Sequence, residues 1–232
     1  MTNLTSSGFQ FVLALTCVAG GYVSYWIAMK ALTSDHAHQA PLPQRVFISR
    51  VLGFILMGLI PAILFVALTS MGLDALGVRF EWHPNIVVWC IAAGLPIILS
   101  AFLGVKNIRL IKEDANISNG IHTGSALSND LIGWALYLLG YEFLFRGVLL
   151  FGSLQIMGPI EAVVLNVALY SFAHLPKGNT ETLGSLLLGV VLCWATIQTG
   201  TIWTAFILHY FLAAASSIFT FILQPKPEIK LI

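Results

Sequence analysis

The chain has 232 residues, 58% of them hydrophobic and only 9% charged, with a formal net charge of +1. Soluble domains carry about 25% charged residues, so a water-soluble globule is excluded. The lack of a basic block excludes nucleic acid as a partner. Apolar runs recur along the whole chain without period-two alternation. In lipid the backbone must satisfy its own hydrogen bonds, so a β-barrel is excluded and an all-α, polytopic transmembrane helical bundle is expected.

Seven apolar segments follow in chain order, at about residues 9–32, 46–71, 85–105, 128–154, 159–174, 181–199 and 201–223. The first has no Lys or Arg before Lys30 and no small-residue cleavage site, so it reads as a retained helix rather than a signal peptide. Pro61 and Pro96 fall inside the second and third segments and predict kinks there. The fifth is short for the ~20 residues that a span needs. Thr199-Gly200-Thr201 predicts a tight turn between the last two. A polar, Asn/Ser/Gly-rich loop from Lys106 to Asn129 divides the chain. Residues 1–127 form a three-helix N-terminal part, 128–223 a four-helix core with nearly all the buried polar chemistry, and 224–232 a tail.

Basic residues set the orientation. With the N-terminus outside, the cytoplasmic side holds Lys30, Arg45, Arg50, Lys106, Arg109, Lys112, Lys177, Lys226 and Lys230, and the outside holds Arg79 alone. This is a positive-inside pattern, and it places the C-terminus in the cytoplasm.

The polar residues inside apolar runs are the functional candidates, because a charge at mid-bilayer costs about 2.5–3.5 kcal/mol on insertion scales. Glu142 and Arg146 in "GYEFLFRGVLL" are four residues apart, share a helix face and can pair. Gly140 and Gly147 near that face permit close helix contact. His174 ends the fifth segment in "YSFAHLPKG", where Pro176 stops the helix. Lys177 and Glu181 follow, and the helix dipole accounts for Glu181. His209 lies in "TAFILHYFLAAA" with no charge near it in sequence. One such His reads as interhelical glue. Two His and a Glu on three helices can converge on one pocket, with the carboxylate as base and the imidazoles as donors.

The other candidates have simpler accounts. Cys17, Cys90 and Cys193 stand singly in apolar runs and read as small core residues. Asp35-His36-Ala37-His38 reads as a solvated loop, since two His leave a metal underliganded. His83 and His122 are loop residues with no partner pattern. Asp130 in "SND" reads as a helix-start residue, and Glu161, just after Pro159, as a dipole partner.

"EFLFRGVLL", "SFAHLPK" and "ILHYFLAAA" resemble, in order and spacing, the three motifs of the CPBP family of intramembrane proteases, over about residues 128 to 220. That family includes the CAAX prenyl endopeptidases and bacteriocin-processing or immunity proteins. Its motifs are Glu-Glu-x-x-x-Arg, Phe-x-x-x-His and His-x-x-x-Asn/Asp. Here Tyr141 stands at the first Glu, Tyr170 at the Phe and Ala213 at the Asn or Asp. The chain also resembles a bacterial branch with an aromatic before a single Glu and Lys-x-x-x-Glu after the His, which Lys177 and Glu181 fit.

The resemblance implies an intramembrane endopeptidase in a bacterial inner membrane, acting on a membrane protein or peptide. In it Glu142 deprotonates water with help from His174, His209 donates to the oxyanion, and Arg146 orients Glu142. Glu142, His174 and His209 are then expected around one cavity, a water apart. They could in principle hold zinc, but no H-E-x-x-H signature is present and no cofactor is expected. The missing Glu and Asn motivate a second reading, a pseudoprotease acting as an immunity or adaptor protein. A small proton-relaying transporter is a third, disfavoured by the absence of an inverted repeat.

Overall fold

The computed structural model describes residues 2–33, 42–112 and 124–223. These are helical apart from turns and the 69–84 loop, and no strand occurs among them. In order they form α1 (Thr2–Thr33), α2 (Leu42–Phe54), a π-helical segment π1 (Ile55–Leu59), α3 (Ile60–Leu68), α4 (Asn85–Ala92), α5 (Gly94–Lys112) and α6 (Gly124–Glu142). A second π-helical segment π2 (Phe143–Phe151) follows, then α7 (Pro159–Phe172), a 3₁₀ turn (Leu175–Lys177), α8 (Asn179–Thr199) and α9 (Ile202–Leu223). Six helices are long and apolar enough to cross a membrane, and the 14-residue α7 is shorter. The protein is a polytopic helical membrane protein.

The two prolines act where the sequence predicts a kink. Pro61 follows π1, and Pro96 lies in the first turn of α5, just after the helical break at Ala93. A proline offers no N–H and crowds the carbonyl four residues back, here Met57 and Ala92, so the ladder is reset at those points.

The span Gly124–Phe151, which joins α6 to π2, is the most enclosed of the six. Helix α2 lies along one side of it and α9 along another; α5 backs α9, and α7 and α8 pack as a pair. Gly140 is what lets α2 approach. A Cβ on Gly140 would stand 2.8 Å from Phe54 Cα, and one on Gly58 would stand 2.8 Å from Gly140 Cα. Gly147 similarly faces the Leu76 carbonyl, which a Cβ would reach at 3.1 Å. The main core surrounds this span and includes Leu138, Tyr141, Leu144, Phe145, Val148 and Tyr170.

The turn at 199–201 is built as its residues demand. Gly200 takes φ +66° and its N–H closes α8 on Thr196 O, while the Thr201 hydroxyl donates to Gly77 O at 2.9 Å. Arg79 Nε donates to Gly200 O at 2.9 Å, so the 69–84 loop is stapled to this turn.

Three sequence expectations are corrected. Asp130 does not start a helix, because α6 begins at Gly124; it sits inside α6, paired with Arg50. Arg50 in turn is not a loop cation. It is buried within the span Gln44–Leu68. His83, expected to have no partner, accepts a hydrogen bond from Asn85 N–H at 3.2 Å at the start of α4. The Asp35–His38 and His122 sites lie outside the described residues.

Candidate active site

Glu142 is the last residue of α6 and leads into π2, so the helix widens at the polar pair itself. Such π segments recur at functional sites. Both side chains of the pair are fully enclosed, with Arg146 Nη1 3.2 Å from Glu142 Oε2. No guanidinium nitrogen makes an aligned hydrogen bond. The contact is therefore an ion pair, supplemented by the Tyr170 ring 4.3 Å from the guanidinium carbon.

The other carboxylate oxygen is also engaged. His209 Nδ1, reaching in from α9, lies 2.5 Å from Glu142 Oε1. These two groups are in direct contact, so no water fits between them, unlike the spaced arrangement the sequence suggested. Charge explains the tightness. A buried carboxylate needs donors on both oxygens, and the apolar sequence around His209 leaves it no nearer alternative.

His174 follows α7 and is buried. Its Nδ1 lies 2.8 Å from Tyr170 O. A carbonyl oxygen only accepts, so Nδ1 carries the proton and Nε2 carries the lone pair of the neutral ring. The same logic holds at His209 when Glu142 is ionised. A neutral His209 then presents an acceptor at Nε2, and only its imidazolium form donates there.

Two tyrosines bring the histidines together. The Tyr141 ring centre is 6.2 Å from that of His174 and 6.1 Å from that of His209. Tyr170 is 4.7 Å and 6.3 Å from the same two rings. The structure thus collects Glu142, Arg146, Tyr141, His174 and His209 in one buried cluster. Glu181 stands apart, exposed in the first turn of α8. The backbone of Lys177 is in the 3₁₀ turn, and its side chain lies outside the described part. Among the described residues no three His, Cys, Asp or Glu side chains are grouped as a metal ion would require.

Several supporting residues escaped the sequence. Buried Asn166 donates to the Phe145 carbonyl at 2.6 Å inside π2 and accepts from Cys193 Sγ at 3.3 Å. A lone Asn in the apolar stretch "AVVLNVALY" was the available signal. Below the cluster, Arg50 Nη1 donates to Asp130 Oδ1 at 2.7 Å, Ser217 donates to Asp130 Oδ2 at 2.6 Å, and the Arg50 guanidinium lies 4.2 Å from the Trp134 ring. This second polar knot ties α2, α6 and α9. An aromatic series connects the two: Trp134 to Tyr137 at 5.8 Å, then Tyr137 to Tyr141 at 5.6 Å.

Residues 125–215 match the family described as type II CAAX prenyl endopeptidase Rce1-like. The matched stretch contains α7, α8 and nearly all of α6, together with Glu142, Arg146, His174 and His209. No significant match was found among curated proteins or solved structures.

Proposed function

We propose, on the kinship of residues 125–215 with the CPBP and CAAX prenyl endopeptidases, that the chain is an intramembrane endopeptidase with Glu142 at its centre. The observation that carries this is the enclosed Glu142 carboxylate, held by Arg146 on one oxygen and His209 on the other. An isolated structural ion pair has no need of the second imidazole, nor of His174 beside it.

The roles follow from the atoms. Arg146 pairs with Glu142 and fixes its orientation. Each carboxylate oxygen has a further lone pair, so water can be activated at the Glu142–His209 pair with His174 assisting. The water proton passes to that pair and the hydroxide adds to the scissile carbonyl carbon. The His209 imidazolium then donates from Nε2 to the developing oxyanion. Collapse breaks the C–N bond, and the leaving amine takes the proton. Nothing in this sequence calls for a metal. Tyr141, at the family's first Glu, contributes ring packing between the histidines. The substrate is a membrane protein or peptide, and the N-terminus faces outside.

One observation favours a second reading. The direct Glu142–His209 contact and the ion pair engage both carboxylate oxygens, which would also suit a non-catalytic family member serving as an immunity or adaptor protein. Comparing new protein termini in membranes from cells expressing wild type, His174→Ala or Tyr141→Phe, at matched levels, separates the two. The endopeptidase loses its products with His174→Ala and keeps most of them with Tyr141→Phe, in the presence or absence of a zinc chelator. Identical termini in all three, and in cells lacking the protein, would leave the pseudoprotease.

A further inference from the structure

Asn166 is fully buried on α7. Val163 and Val167, on either side of it in sequence, belong to an apolar cluster with Leu150 of π2 and Cys193 of α8. An amide there costs free energy unless it is hydrogen-bonded, and its partners are specific. The Phe145 carbonyl can only accept, so the amide atom 2.6 Å from it is Nδ2, and Oδ1 accepts from the Cys193 thiol at 3.3 Å. The carbonyl that Asn166 holds belongs to the peptide group joining Phe145 to Arg146, and that group is planar and rigid. A second contact crosses the same interface one turn further along α7. Tyr170 follows Asn166 by four residues, on the same helix face, and its ring lies 4.3 Å from the Arg146 guanidinium carbon. Apolar attraction between π2 and α7 is non-directional. The amide–carbonyl bond is directional and selects one register.

We infer that Asn166 is a positioning residue for Arg146. It holds the peptide group from which Arg146 springs and fixes the register of α7 on π2. The Tyr170 ring thereby stays against the guanidinium, and the guanidinium meets Glu142 Oε2 in one orientation, at 3.2 Å. When the amide is lost, the Phe145 carbonyl loses this donor and the register loosens. The guanidinium then leaves the ring and samples several orientations toward Glu142, although the fold persists. Asn166 acts through the Phe145–Arg146 peptide and through Tyr170, and does not touch the reacting atoms. This inference rests on the proposed endopeptidase for its catalytic consequence, but not for its structural content.

The test uses the full chain in lipid nanodiscs, with ¹⁵N-labelled arginine and ¹³C-labelled tyrosine rings, and solid-state NMR. Tyr170→Phe keeps the ring but removes its label, and so assigns the Arg146–Tyr170 dipolar coupling. Wild type is expected to show that coupling. Asn166→Leu, similar in volume but without a donor, and Asn166→Ser, too short to reach the carbonyl, are expected to lose most of it. Val163→Ala is the control. It opens a cavity in the same apolar cluster, so it should lower the melting temperature and keep the coupling. In membranes, formation of new termini should slow on the order of tenfold in Asn166→Leu, short of the ~10²-fold loss that a full 1 Å misplacement can bring. An undiminished coupling in Asn166→Leu would overturn the inference, as would its absence from wild type or an equal loss in Val163→Ala. Failure of both Asn166 variants to fold, where Val163→Ala folds, would also overturn it, since Asn166 would then serve folding rather than register. If wild type forms no new termini, the endopeptidase proposal fails and the coupling alone decides the role of Asn166.

Discussion

Replacing Arg146 by Leu removes one half of a fully enclosed ion pair. Losing one partner of a buried pair destabilises by about 3–5 kcal/mol, because the other charge is left in low dielectric. Here Glu142 keeps its hydrogen bond with His209 at 2.5 Å, which offsets part of the loss, so the low end, about 3 kcal/mol, is expected. For a chain of this size about 2–4 °C is lost per kcal/mol, so Arg146→Leu should melt roughly 6–12 °C below wild type in nanodiscs. The double variant Arg146→Leu/Glu142→Gln removes both charges and should recover much of that loss. The resulting coupling should exceed about 1 kcal/mol. Melting of the single variant within about 2 °C of wild type, or no recovery in the double, would refute a buried charge pair.

Two further stability outcomes follow from the packing. Gly140→Val sets a Cβ against Phe54 Cα and O, which are backbone and cannot yield; it should destabilise by roughly 1–3 kcal/mol. Gly104→Ala, whose Cβ meets nothing within 4 Å, should not lower the melting temperature. Asp130→Asn weakens the bonds from Arg50 and Ser217 and should lower stability by about 1.5–3 kcal/mol, with Ser217→Ala alone smaller, about 1 kcal/mol; thermal melts of the purified variants check both.

Charge rarity made much of the site legible. In so apolar a chain, Glu142, Arg146, His174 and His209 stand out individually, and their order matches a family. The spans were equally visible, since long apolar runs have one solution in lipid. The π segments were not, because "FLFRGVLL" has the same composition whether its turns hold four or five residues. The Arg50–Asp130–Ser217 knot was hidden for a different reason. Each member sits near the end of an apolar run, where a charge looks solvated, and pairing across 80 residues leaves no local pattern. The bond from the Tyr22 hydroxyl to the Ala173 carbonyl was invisible because its acceptor is backbone. The direct Glu142–His209 contact depended on how α6 and α9 register, which no spacing within either helix encodes.

The most direct measurement is the set of new protein termini in membranes of cells expressing Glu142→Gln, compared with wild type at matched protein level. The amide keeps the shape of the carboxylate and some of its bonding to His209, but it cannot take a proton from water. The proposal predicts an inserted, folded protein and complete loss of the wild-type products. Undiminished products from Glu142→Gln would contradict glutamate-centred catalysis.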